Sequence, residues 1–344
     1  MNCLLCKENE ANQTGSHIFT HSLISKCINE QGKNGRDREI MFGFSQSGEK
    51  SLFVGRKVLP DNLAEVLGRE LTDDEIENNT NGAVVDNIYC SNCEKLFGII
   101  ESDFSSKILT NIRDNGIYSY EYPNNILIRL YFYIQIWRAS SYSYNDWCLP
   151  NKAIEEDLRK YIYEGCLGYE KGLSGSFIKE IVKYPLIVNY LETPEEESSS
   201  NLIFIPKTNN PFRFFLCDFV IEFFEDSSNK PLFSEIQNYH GLNDDISEKD
   251  INYYEDTFII RNIANTKRKK IIDSYCKEEY VVGEIKRIQD LFVTEYKKIN
   301  KRIPTDETIA KFSLEIAFGA GEVPTFQALS DERIETVVKK YIEF

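Results

Sequence analysis

Residues 88–94 read Ile88-Tyr89-Cys90-Ser91-Asn92-Cys93-Glu94, and residues 2–7 read Asn2-Cys3-Leu4-Leu5-Cys6-Lys7. Each stretch carries a Cys-x-x-Cys pair, which places two sulfurs on one tight turn. Zinc takes four ligands in a tetrahedron, so two such turns complete a closed structural site. The spacing assigns Cys3, Cys6, Cys90 and Cys93 as zinc ligands. Between the two pairs lie 83 residues, so an insertion separates the turns.

Outward from Cys93, the apolar positions Leu96, Ile99, Ile100, Phe104 and Ile108 recur at helical spacing. Residues 84–89 form a short strand that delivers Cys90. Residues 38–45 and 51–54 alternate as two strands around a Gln-Ser-Gly-Glu turn. An acidic, Asn-rich loop covers 70–81. Upstream, Ser16-His17-Ile18 is strand-like, and His17 and His21 are two of only three histidines in the chain.

The order Cys-x-x-Cys, Ser-His-Ile, β-hairpin, Cys-x-x-Cys-Glu opening a helix resembles the treble-clef HNH (ββα-metal) endonucleases, in particular the phage endonuclease VII type. The resemblance covers residues 1–108. It implies a structural zinc on the four cysteines and His17 as general base. It implies that Glu94, where the family often carries Asn or His, helps hold a catalytic Mg2+ or Mn2+. Ser16 stands where the family has a metal-binding Asp or His. Asn81 and Asn87 are the candidates for the family's middle Asn. Proteins with this motif order resemble bacterial accessory and anti-phage defence proteins.

The chemistry is coherent without the resemblance. Phosphodiester hydrolysis needs a water deprotonated near neutral pH, which a neutral imidazole can do. It also needs charge neutralised at the leaving oxygen, which a carboxylate-held divalent ion supplies. Glu94 and Glu101 are seven residues apart, two helical turns, and share one helix face, so Glu101 is a second candidate ligand. Blander readings stand beside these. His17 can be a packed strand residue, Glu94 a carboxylate at a helix N-terminus favoured by the dipole, and Glu101 a solvated helix residue.

The 344-residue chain carries a formal net charge of -15 and is 42% hydrophobic. It has core enough for two or three domains, and its charge argues against non-specific coating of nucleic acid. A local exception is 26–57, with seven Lys or Arg against four acids. These residues flank the His17 region, as phosphate contacts would, or form a solvated hairpin surface. The run 267–270, Lys-Arg-Lys-Lys, reads as a solvated turn, and Trp137-Arg138 as core followed by a surface cation. Nine cysteines, five of them single (Cys27, Cys148, Cys166, Cys217, Cys276), suggest no disulfide framework but reduced thiols in a cytoplasm. No charged start and long apolar stretch marks a signal peptide. The apolar run 126–137 is too short for a bilayer.

The expected fold is α+β. A zinc-bound treble clef (1–108) with a hairpin insertion precedes a helical domain (109–195) and a mixed β/helical domain (196–344) containing a small antiparallel β section. Within it, 125–139 is expected as a buried helix and 192–200 as a linker. Residues 201–205 and 212–224 are expected as strands, and the tail from 256 as helical. The Gly-Ala-Gly at 319–321 reads as a helix stop, and Ser330 with Asp331 and Glu332 as a helix start. The functional expectation is a metal-dependent nuclease acting on DNA rather than RNA, with a protein partner through the C-terminal region and no membrane. The alternative is a non-catalytic, zinc-stabilised binding or regulatory protein.

Overall fold

The computed structural model describes residues 1–28, 40–44, 50–54, 72–73, 83–144, 147–193, 203–206, 211–225, 240–318 and 337–341. Most of the linker at 192–200, the acidic loop at 70–81, the helix stop at 319–321 and the helix start at 330 lie outside these residues. So do most side chains of the basic stretch 26–57.

The fold is mixed α+β. It begins with β1 (Ser16–His17) and α1 (His21–Ile28), followed by the antiparallel pair β2 (Ile40–Phe44) and β3 (Lys50–Val54). Strand β4 (Val84–Val85) returns to pair antiparallel with β1, Ser16 opposite Val85 and His17 opposite Val84. Helix α2 (Ser91–Phe104) follows. The Cys90 side chain caps it by accepting from Cys93 N–H at 3.5 Å, and Glu94 sits in its first turn. Its buried residues Cys93, Phe97, Ile100 and Phe104 step by four, three and four, one apolar stripe. A π-helical turn (Ser105–Leu109) leads into α3 (Thr110–Asn115), which stops where Gly116 adopts a left-handed conformation, φ 63°.

Helix α4 (Asn124–Tyr142) is buried on every side from Asn125 to Ser140, as its unbroken apolar pattern requires. Phe104 of α2 stacks on Tyr131 of α4, with centroids 3.6 Å apart. Helices α5 (Lys152–Gly168) and α6 (Gly175–Ile181) carry side-chain N-caps, Asn151 accepting from Ala153 N–H and Ser174 from Phe177 N–H.

Strands β5 (Ser119–Glu121), β6 (Leu186–Leu191), β7 (Ile203–Phe204), β8 (Phe212–Leu216), β9 (Phe219–Phe223) and β10 (Thr257–Ile263) form one sheet in the order β5-β10-β6-β9-β8-β7. The β10–β6 pair is parallel and the other pairs are antiparallel. Leu186, Val188, Tyr190, Phe214, Phe219 and Ile221 face the core that α4 fills. The alternating positions carry Asn189, Arg213, Glu222 and Arg261. Here Arg213 pairs with Glu222 at 2.6 Å, Asn243 donates to Glu222, and Arg261 donates to Asn189 and Asn243. The sheet is larger than the small antiparallel section expected from sequence. It takes β5 and β6 from a stretch expected to be helical. The six residues of β6 are buried on both faces, and a short continuous apolar run does not distinguish such a strand from a buried helix segment.

The described residues fall into two compact units, one within 1–271 and one within 272–344. The first holds strands from both sides of the boundary expected at 195/196. In the second, Ile288, Phe292 and Tyr296 of α7 (Asn265–Asn300) pack with Phe312 and Ile316 of α8 (Asp306–Phe318) and with Val337. Phe292 and Phe312 stack at 4.1 Å. Among the described residues, no helix is long and apolar enough to cross a membrane.

Candidate metal centre

The N-terminal turn is built by its backbone. Cys3 N–H donates to Asn9 O at 2.8 Å and Lys7 N–H to Cys3 O at 2.9 Å, while Asn2 and Glu10 form an antiparallel bridge. Lys7 takes a left-handed conformation, φ 61°, that turns the chain back. This turn is tied to the second one. Leu4 N–H donates to Ile88 O at 2.9 Å, and the N–H groups of Asn12 and Gln13 both donate to Tyr89 O. The backbone thus brings the two Cys-x-x-Cys turns together across the 83-residue span.

The result is one cluster. The ligand atoms of Cys3, Cys6, Cys90 and Cys93 all lie within 4.8 Å of one another, and all four residues are buried. The Cys6 and Cys90 sulfurs are 4.0 Å apart. A tetrahedral zinc with bonds of ~2.3 Å puts its sulfurs about 3.8 Å apart, so the cluster fits such an ion. None of the four is in a disulfide. The Asn9 amide points at the Cys6 and Cys90 sulfurs from 3.8 and 3.9 Å, a donor pair suited to thiolates. The hydrogen bond between Cys3 and Cys93 pushes the Cys3 thiol down and the Cys93 thiol up. The cluster could hold a metal such as zinc, in line with the sequence assignment.

Helix α5 grips the first turn from outside. Arg159 donates to Leu5 O and to Glu156 Oε1, and Lys7 pairs with Glu156 at 2.7 Å.

Beside the cluster, Ser16 and Glu94 meet. Ser16, 1% exposed, donates its hydroxyl to Glu94 Oε2 at 3.1 Å, joining β1 to the first turn of α2. Burial pushes the Glu94 carboxyl upward, opposed by the Arg138 charge and by the Ser16 hydrogen bond. His17, half-buried, follows Ser16 on β1, and its ring centroid is 5.8 Å from that of His21. Glu101 does not join Glu94 through a hydrogen bond; it accepts from Arg138 Nη1 at 2.6 Å. Asn87 is exposed, in a left-handed conformation, φ 59°, with its N–H on Gln13 O; Asn81 lies outside the described residues.

Two side chains take places that the sequence did not assign. Arg138, expected as a surface cation, is 1% exposed, its guanidinium carbon 4.0 Å over the Phe97 ring. The apolar run that it directly follows was the available signal, because helix α4 is buried all round and has no outward face to offer a charge. Asn9 had only its place three residues after Cys6. The run 267–270 departs from expectation in the same way: it lies on α7, and Arg268 is fully buried.

Comparison of the chain with protein-family models, with curated proteins and with solved structures finds no match.

Proposed function

We propose that residues 1–108 form a zinc-held treble clef of the HNH type that hydrolyses phosphodiester bonds of nucleic acid, DNA in preference to RNA. The carrying observation is the Ser16–Glu94 hydrogen bond, which pins the strand bearing His17 onto the helix turn that follows the last cysteine. In this reading the imidazole of His17 takes the proton of the attacking water. Glu94 holds one divalent cation with the Ser16 hydroxyl beside it. Magnesium binds through one or two carboxylates and keeps several waters, a demand that a single Glu meets. When bound, the ion neutralises charge on the leaving oxygen. The cysteine cluster and the α5 grip keep β1 and α2 in register. Setting such a protein within bacterial anti-phage defence belongs to the same proposal.

A second reading, a zinc-stabilised binding or regulatory protein without catalysis, is favoured by two observations. The other candidate acid, Glu101, is engaged by Arg138, and no acid stands at position 16.

One assay separates them. Plasmid DNA and a structured RNA are incubated with the zinc-loaded chain in Mg2+ or Mn2+, beside His17→Ala and Glu94→Gln variants of equal zinc content. The nuclease reading expects cleavage by the native chain and a loss of at least about 100-fold in each variant, the usual scale of one acid–base group. No cleavage by the native chain, or equal cleavage by all three, leaves the binding reading.

A further inference from the structure

Helix α4 carries a charge that the proposed chemistry does not use. Arg138 reaches across to one of the acids of α2. Its Nη1 donates to Glu101 at 2.6 Å. Phe97, from the same face of α2, lies flat against the guanidinium carbon at 4.0 Å, and Tyr89 flanks it at 5.6 Å. Nε and Nη2 are buried and meet no hydrogen-bond partner. A guanidinium has five N–H donors, and leaving buried ones unmatched is costly unless water or a ligand completes them. Arg138 is thus fixed by stacking and one ion pair, with donor capacity left over.

This bears on how many carboxylates face a cation. Glu94 and Glu101 share one helix face two turns apart, and a divalent ion would be drawn to both. The ion pair takes Glu101 out of competition.

We infer that Arg138 is a positioning residue that holds Glu101 away from the cation, so that Glu94 is the single carboxylate ligand and the cation is bound weakly. The inference rests on the proposed function. It adds that the site's affinity for a divalent ion is set from below, by a buried arginine that touches neither the ion nor the nucleic acid. A role confined to packing predicts the opposite sign when Arg138 is changed.

The test is Mn2+ binding to the zinc-loaded full chain, followed by water-proton relaxation, with zinc content and melting temperature recorded for each protein. Arg138→Gln is expected to bind Mn2+ about tenfold more tightly, since a nearby positive charge is gone and a second carboxylate is freed. Glu101→Gln is expected to weaken binding about tenfold, because Arg138 then acts on the cation without its counter-charge. Weaker or unchanged binding in a zinc-loaded Arg138→Gln overturns the inference. If that variant does not fold, Glu101→Gln decides: binding equal to or tighter than native overturns it. Glu94→Gln separates the two failures. Mn2+ binding that survives it, or that is lacking in the native chain, sinks the proposed site itself. Binding that is lost in Glu94→Gln but indifferent to positions 101 and 138 sinks only the role of Arg138.

Discussion

The N-terminal turn and helix α4 sit in one hydrophobic cluster yet are held by different forces. Around Cys3 and Cys6 the chain is a tight backbone turn whose two sulfurs gather with those of Cys90 and Cys93 into a cluster that could hold a metal. Around α4 the chain needs no ion: Leu130, Tyr131, Phe132 and Ile134 are fully buried against α2 and the sheet. Burial of that kind stabilises by roughly 1.5–3 kcal/mol per large side chain, and it is non-directional. Coordination is directional and fails as a unit. The first region therefore positions β1 and α2 with precision, while the second supplies the bulk stability.

The contrast can be broken most severely at the metal. Cys90→Ser removes one ligand and leaves a hydroxyl that can still cap α2. Structural zinc contributes on the order of 10–16 kcal/mol in small zinc domains, so binding should collapse from one ion per chain to none. Hydrogen exchange should then show the amides of Cys3, Leu4 and Lys7 unprotected, while those of β6 and β9 stay protected. A variant that keeps one zinc per chain contradicts the assignment of the four cysteines.

Next come two changes on the apolar side of the comparison. Phe104→Ala deletes the ring stacked on Tyr131 and should lower unfolding free energy by about 3–5 kcal/mol in denaturant titration. The folded fraction should still carry zinc. Arg113→Ala breaks a buried bidentate pair, Nε and Nη2 donating to Asp218 at 2.7 and 2.8 Å. It strands a fully buried carboxylate, so a loss of about 3–5 kcal/mol is expected by the same titration. Arg113 also donates to the carbonyls of Ser22 and Leu23, so α1 should loosen before the sheet does.

The smallest effect sharpens the boundary between the regions. Hydrogen bonding from Arg159 holds the Glu156 carboxyl down to about 2, with Lys7 contributing. A folded value below the ordinary ~4.3 means that its stabilisation is complete above about pH 4.3 and lost as pH falls toward 2. The side chain is 35% exposed, so Glu156→Gln should cost no more than about 1 kcal/mol near pH 6. The difference from native in melting temperature should shrink between pH 5 and pH 2.5; a constant difference would mean that Glu156 acts through packing alone.

Much of this was legible from short-range pattern. The Cys-x-x-Cys turns, the stripe of α2 and the all-round apolar α4 follow from spacing, because those features are fixed within one turn or one helix. The sheet was not legible in the same way. Strand β6 is continuous apolar sequence, and its parallel partner β10 lies some 70 residues on, a pairing that no local pattern encodes. Arg138 was misread because a charge at the end of an apolar run resembles a helix exit. What buries it is Phe97, from another helix. The Ser16–Glu94 contact joins residues 78 apart and was suggested only by their places around the cysteines.

The Cys6 and Cys90 sulfurs, 4.0 Å apart, make the 83 residues between them a closed ring of chain. In polymer terms an ion there is a cross-link, and the entropy of closing a flexible ring grows only with the logarithm of its length. Doubling such a ring costs about 0.6 kcal/mol, little beside the coordination that closes it. Ring entropy alone therefore sets little penalty on the length of the span between the two turns.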